Sequence, residues 1–462
     1  MSTRFDAIII GVGQAGPGLA GRLTAAGMTV AVVERKLFGG TCVNTGCTPT
    51  KTLVASAQTA HLARRAADYG VTIGGPVGVD MAAVKARMDR VVAGSRDGLV
   101  GYLGGMERCR VYRGHARFES AREVRVEGEG GDLLTADRIF INAGGRAVVP
   151  DMPGVDRVRT LTNVSILELE SLPRHLVVVG GSYVGLELAQ IYRRFGCEVT
   201  VVERAPRLVQ REDEDVSAAV REIVEGEGVR MRLAAECIRF EPRGQDIAVG
   251  VDCESGDREV VGSHVLLAVG RRPNTDDLGL DRAGVATDAR GYITVDDQLR
   301  TSVAGIWALG DCNGKGAFTH TAYNDFEIVA ANLLDGDARR VSDRIPCYAL
   351  YTDPPLGRAG LTEAEVRRSG RRALIGTRPM TRVARAIEKG DTRGFMKILV
   401  DADSEQIVGA SILGVGGDEA IHCILDVMAA KAPYRVLQRT MHIHPTVSEL
   451  IPTVLGELRP LE

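Results

Sequence analysis

Two glycine-rich segments related by one constant offset leave this chain few ways to fold. Phe5 to Ile10 is a short apolar run that ends in Gly11-Val-Gly13-Gln-Ala-Gly16. A helical segment then extends to Gly27, and Thr29 to Val33 leads into the acidic Glu34. Further along, Leu176-Val-Val-Val enters Gly180-Gly-Ser-Tyr-Val-Gly185, and that copy closes at Val199-Thr-Val-Val-Glu203. An offset of 169 carries Gly11 onto Gly180, Gly16 onto Gly185, Gly27 onto Gly196 and Glu34 onto Glu203; both copies end in Val-Val-Glu-Arg. A lone glycine triplet says little. Framed by strand, helix, strand and terminal acid, it describes a βαβ unit whose backbone approaches a pyrophosphate at a helix N-terminus while the acid bonds a ribose. Two copies predict an α/β protein with two Rossmann-like dinucleotide sites.

Residues 39 to 51, Gly-Gly-Thr-Cys-Val-Asn-Thr-Gly-Cys-Thr-Pro-Thr-Lys, follow the first copy and place four residues between Cys42 and Cys47. A disulfide needs Cα atoms within about 7 Å, whereas five residues of regular helix advance roughly 7.5 Å along the axis. Bridging this pair calls for a sharp turn, expected at Asn44-Thr45-Gly46. The stretch from Thr52 to Ala67 reads as a helix. A thiol at a helix start meets the positive end of the macrodipole, which favours thiolate. Half of a zinc site is the competing reading, but no second pair stands at zinc-finger spacing, and no resident metal is expected. A dithiol beside two dinucleotide sites suits a relay from nicotinamide to flavin to disulfide.

Composition sets outer bounds. The 462 residues imply two or three domains. Lys plus Arg number 57 against 60 Asp plus Glu, a net charge of −3, which gives no footprint for nucleic acid or an anionic membrane. A single Trp307 and few aromatics offer no stacking platform. No apolar run approaches the roughly 18 residues of a membrane span, and the N-terminus leads directly into the first strand. Seven of the nine cysteines (109, 197, 237, 253, 312, 347 and 423) have no partner by motif, as expected for a reducing cytoplasm with one working disulfide.

Over essentially its whole length the chain resembles the class I pyridine nucleotide–disulfide oxidoreductases, the family of glutathione reductase, dihydrolipoamide dehydrogenase and mercuric reductase. The motifs that carry the resemblance are the two fingerprints, the Cys-x4-Cys segment, Ala308-Leu-Gly-Asp311 and His444-Pro-Thr-Val-Ser-Glu449. It implies FAD at Gly11, Gly13, Gly16 and Glu34, with Asp311 on the ribityl chain, and NADH or NADPH at Gly180, Gly185 and Glu203. Gly270 joins the cofactor-binding positions. Cys42 becomes the interchange thiol and Cys47 the flavin-proximal one. Lys51, paired with Glu187, sits at the flavin's reactive edge, and Tyr183 gates the nicotinamide pocket. His444, oriented by Glu449, is the general acid–base, supplied in the family by the partner subunit of a homodimer.

The implied domains are 1–154 and 275–345 for FAD, 155–274 for NAD(P), and an α+β dimerisation domain at 346–462. The implied activity is FAD-dependent NAD(P)H:disulfide oxidoreduction. The alternatives are a mercuric or other soft-metal-ion reductase, a dihydrolipoamide dehydrogenase subunit, and a low-turnover flavin redox sensor. Ser182 stands where the second fingerprint has its middle glycine, and Glu203 favours an unphosphorylated ribose. Arg204 and Arg207 soften that preference, so the expectation leans to NADH and keeps NADPH open. The dithiol segment and residues 310–325 look most like the mercuric-reductase branch, yet no cysteine follows Cys423, and the His-Pro-Thr dyad argues for a disulfide acceptor.

Overall fold

The computed structural model describes residues 2–128, 131–236, 238–251 and 258–462. Cys237 and Cys253 lie outside the described residues, as does part of the turn expected between Glu127 and Asp132. The chain divides into two compact units, Met1–Thr52 with Lys85–Val149 and Val269–Arg344, and Leu53–Val84 with Pro150–Ala268 and Ile345–Glu462.

The first unit is built on a five-stranded parallel sheet, ordered Ile306–Ala308, Arg138–Ile141, Ala7–Ile10, Val30–Glu34 and Cys109–Arg113. Ile8 and Ile9 are wholly buried in its centre, as continuous apolar strands of a parallel sheet must be when both faces are covered. Its helices include α1 (Ala15–Ala25), α2 (Gly40–Thr45), the start of α3 (Cys47–Arg64) and most of α4 (Met81–Gly104).

The second unit holds another five-stranded parallel sheet, ordered Thr160–Leu161, His264–Leu267, His175–Val179, Glu198–Val202 and Arg230–Arg232. Its helices include α5 (Tyr183–Phe195) and α6 (Glu214–Gly226). A six-stranded antiparallel sheet from Cys347 to Pro460 completes the unit.

The sequence offset of 169 reappears in three dimensions. Ala7 pairs with Val30 as Leu176 pairs with Val199, and Ile10 with Val33 as Val179 with Val202. The Gly11 N–H donates to Val33 and the Gly180 N–H to Val202, each at 2.8 Å. Both glycines adopt positive φ, 103° and 116°, where a side chain is strained.

Two local expectations are corrected. Asn44 and Thr45 form no open turn; they are the last residues of α2, whose Asn44 amide donates back to the Phe38 and Gly40 carbonyls. The bend falls on Gly46 alone, with φ −138° and ψ −116°, where a Cβ would stand 2.9 Å from the Thr41 carbonyl oxygen. The following helix starts at Cys47, five residues before the expected Thr52, and ends at Arg64.

Candidate functional site

Within the first unit the turn after the Ala7–Ile10 strand forms a cradle without side chains. A Cβ on Gly11 would strike the Asn142 backbone. One on Gly16 would stand 2.7 Å from the Gly11 carbonyl, and one on Gly13 would stand 3.2 Å from the Asn142 amide. Glu34 closes this turn: its Oε2 accepts from the Val12 N–H at 2.9 Å and its Oε1 from the Lys36 N–H at 2.7 Å. Each carboxylate oxygen keeps a lone pair for a ribose hydroxyl. A bare-backbone turn at a helix start, closed by an oriented acid, fits the pyrophosphate and ribose of FAD.

The dithiol stands in the same unit. Both Cys42 and Cys47 are thiols, Cys42 half-buried in α2 and Cys47 exposed at the first position of α3. Their side chains are hydrogen-bonded, and this contact together with burial pushes the Cys42 thiol well above its ordinary range. Cys47 Sγ lies 3.2 Å from the Thr319 hydroxyl, and Thr319 itself opens the helix Thr319–Ala330. Lys51 sits four residues beyond Cys47 on α3, half-buried.

Asp311 follows the Ile306–Ala308 strand. Burial raises its carboxyl above the usual range, and the Arg271 guanidinium, 3.4 Å away, pulls it back. Arg271 also donates to the Gly145 carbonyl at 2.6 Å and to the hydroxyl of Thr41, next to Cys42, at 3.2 Å. This arginine gathers the dithiol helix and the Asp311 loop onto one cation suited to a pyrophosphate or ribityl chain. Behind it, buried Asp325 accepts from the Gly310 N–H at 2.6 Å and from Asn313 at 2.8 Å, and pairs with Arg344. Arg271, Thr319 and Asp325 escaped the sequence reading; the run Gly270-Arg271-Arg272-Pro273 was the available signal for the first. Gly270 itself has φ 124° and accepts from the Val148 N–H.

The second unit repeats the fingerprint chemistry. Glu203 Oε2 accepts from the Gly181 N–H at 2.6 Å and Oε1 from the Ala205 N–H at 2.8 Å, the same two bonds as Glu34 displaced by 169 residues. Gly185 leaves room only for the Gly180 carbonyl. Ser182 takes an extended conformation just before α5 with its side chain exposed. Tyr183, the first residue of α5, packs edge-to-face on Tyr348, with ring centroids 5.4 Å apart; burial pushes its phenol up to about 12. Glu187 is buried one turn on and accepts from the Tyr351 N–H at 3.0 Å.

Near the C-terminus, the His444 Nδ1 lies 2.9 and 3.1 Å from the two Glu449 oxygens. The imidazole is 75% exposed while the carboxylate is 15% exposed, so a semi-buried anion holds one ring nitrogen and leaves the other outward. Exposed Met441 and Ile443 flank it, and His442 turns instead to the Thr440 carbonyl. Cys423 bonds the Ala420 carbonyl of its own helix, and burial raises its thiol, which leaves a poor soft-metal ligand. Among the described residues no group of three or more His, Cys, Asp or Glu is placed to hold a metal, and no helix is long and apolar enough to cross a membrane.

Comparison with known proteins agrees with this geometry. A family profile described as pyridine nucleotide-disulphide oxidoreductase matches residues 5–325, and the dimerisation domain of the same family matches 347–455. The chain is 35% identical to a probable pyridine nucleotide-disulfide oxidoreductase, RclA, of Escherichia coli, over 96% of this chain and 97% of that protein. It is 34% identical to a dihydrolipoyl dehydrogenase of Thermus scotoductus (96% and 95% covered) and 33% to a mercuric reductase of Streptomyces lividans (97% and 95%). A solved Cu(II) complex of RclA, described as an HOCl-induced flavoprotein disulfide reductase, superposes with a TM-score of 0.89 over 98% of this chain and 99% of that one, at 34% identity.

Proposed function

Because the chain belongs to the pyridine nucleotide-disulphide oxidoreductases, FAD- and pyridine nucleotide-dependent enzymes with a dedicated dimerisation domain, we propose that it reduces a small disulfide at the expense of NADH. The observation that carries this reading is the Cys42–Cys47 pair, with Cys47 opening α3 beside Thr319 in the unit that also bears the glycine cradle and Asp311. Bound FAD supplies the two-electron relay between nicotinamide and the disulfide.

The residues then divide the work. Gly11, Gly13, Gly16, Glu34, Asp311, Arg271 and Gly270 seat the flavin nucleotide, while Gly180, Gly185 and Glu203 seat the nicotinamide nucleotide. Lys51 and Glu187 serve the flavin's reactive edge, and Tyr183 gates the nicotinamide pocket. Once the pair is reduced, His444 takes the Cys42 proton and the Cys42 thiolate attacks one sulfur of the substrate disulfide. An S–S bond breaks, a mixed disulfide forms, and the leaving thiolate takes a proton from His444. The Cys47 thiolate then attacks Cys42, restoring the Cys42–Cys47 disulfide and releasing the second thiolate, which takes its proton from solvent. Glu449 holds the His444 tautomer throughout, the pair coming from the partner in a homodimer. Glu203 favours NADH, since its carboxylate repels a 2′-phosphate. The domain limits proposed above apply, and cysteine usage favours a cytoplasmic setting.

A second reading has one observation in its favour: a mercuric reductase and a Cu(II)-bound RclA stand among the relatives. A soft metal ion would then be the substrate. Steady-state NADH oxidation tests both readings, with lipoamide, glutathione disulfide, a small aromatic disulfide, Hg(II) and Cu(II) as acceptors. Turnover with a disulfide that is abolished by Cys42→Ser supports the proposal; turnover confined to metal ions transfers the assignment to the second reading.

A further inference from the structure

The second unit contains a buried chain of polar contacts that the proposed reaction does not use. Tyr348 donates from its hydroxyl to Glu212 Oε1 at 2.5 Å. Glu212 and Arg358 are paired, with their side chains 0% and 1% exposed. Arg358 also lies 3.4 Å from Asp213, which accepts from the Glu363 and Ala364 N–H groups at 3.1 Å each and pairs with Lys397 at 3.0 Å. Tyr348 is therefore gripped at its hydroxyl by an anion that is itself fixed on several sides. Its ring presents the surface against which Tyr183 packs, at 5.4 Å and 81°.

Glu212 has a second attachment. It closes a tight turn in which its N–H donates to Val209, and the Val209 N–H donates to Gly181 of the fingerprint. Val209 holds φ 39°, rare for a β-branched residue and kept only where the surroundings dictate it. Glu212 is thus tied to the loop that follows Glu203 through its backbone and to the ring beside Tyr183 through its carboxylate.

We propose that Tyr348 is a positioning residue for the nicotinamide site, setting the Tyr183 ring through an edge-to-face contact while Glu212 holds Tyr348. The inference rests on the reading of Tyr183 as the nicotinamide gate.

The test is a double-mutant cycle on the FAD-loaded enzyme, following flavin reduction by NADH in stopped flow, with disulfide turnover measured alongside. Tyr348→Leu raises the NADH concentration for half-maximal flavin reduction by about two- to tenfold, the scale of one aromatic pair. Tyr348→Phe, which keeps the ring, has a smaller effect. In a Tyr183→Ala background Tyr348→Leu adds nothing. Additive effects overturn the positioning role and leave the gate standing. A Tyr183→Ala variant that reduces its flavin like wild type removes the gate and the proposal together. Should Tyr348→Leu fail to fold, Tyr348→Met, which also lacks the ring, takes its place in the cycle.

Discussion

Cys47 and Thr319 each open a helix, and their side chains meet at 3.2 Å. Two positive dipole ends and a hydroxyl therefore converge where the proposed mechanism needs a thiolate, while the contact with Cys47 and burial raise the Cys42 thiol above its ordinary range. A hydrogen bond to a charged group contributes about 1.5–3 kcal/mol. Thr319→Val should accordingly raise the pH at which the reduced enzyme's thiolate absorbance appears, by roughly one unit or more. A pH titration of the two-electron-reduced protein measures this, and an unmoved midpoint contradicts it.

The His444–Glu449 contact predicts a selective defect. His444→Ala should slow disulfide reduction by about 10²-fold or more while flavin reduction by NADH proceeds as in wild type. Glu449→Gln should fall between the two. Rapid-mixing experiments separate the halves of the reaction, and equal loss in both would make the dyad structural.

Glu203 offers a test of nucleotide choice. Both of its oxygens already accept a backbone N–H, which aims the carboxylate. Glu203→Gln retains an oxygen for Gly181 but removes the charge. The ratio of kcat/KM for NADPH over NADH should rise about tenfold. A ratio that stays put shows that Arg204 and Arg207 govern the preference.

Asp311 links the cofactor site to acid stability. Its carboxyl is raised by burial, with Arg271 opposing, so the folded chain binds that proton more tightly than the unfolded chain. Stability from this group is then fully present below about pH 3.9 and declines as pH rises through the folded value. Asp311→Asn lacks that decline. In urea melts of apoprotein the Asn variant should gain on wild type as pH increases from about 4, although it should retain FAD less well. Parallel pH profiles would refute the assignment.

Much of this architecture could be read before any coordinates because its signals are local. Glycines at fixed spacing announce backbone that must approach something closely, and the 169-residue offset extends from Gly11 and Gly180 to strand register and to the hydrogen bonds of Glu34 and Glu203. Of the turn expected at Asn44-Thr45-Gly46 only the bend at Gly46 is found, because Asn44 and Thr45 yield their turn propensity to the end of a short helix. The pairings of Arg271, Thr319, Asp325 and Tyr348 were illegible for another reason. Arg271 reaches Thr41 across 230 positions and Tyr348 reaches Glu212 across 136. Such pairings are made by the fold and leave no spacing in the sequence.

The central claim is that the Cys42–Cys47 pair exchanges electrons with bound FAD. Anaerobic titration of the holoenzyme with NADH, followed by visible absorbance, tests it most directly. The account predicts a long-wavelength charge-transfer band at two electrons per flavin, absent in Cys47→Ser. Plain bleaching of the flavin, without that band and identical in both proteins, would contradict it.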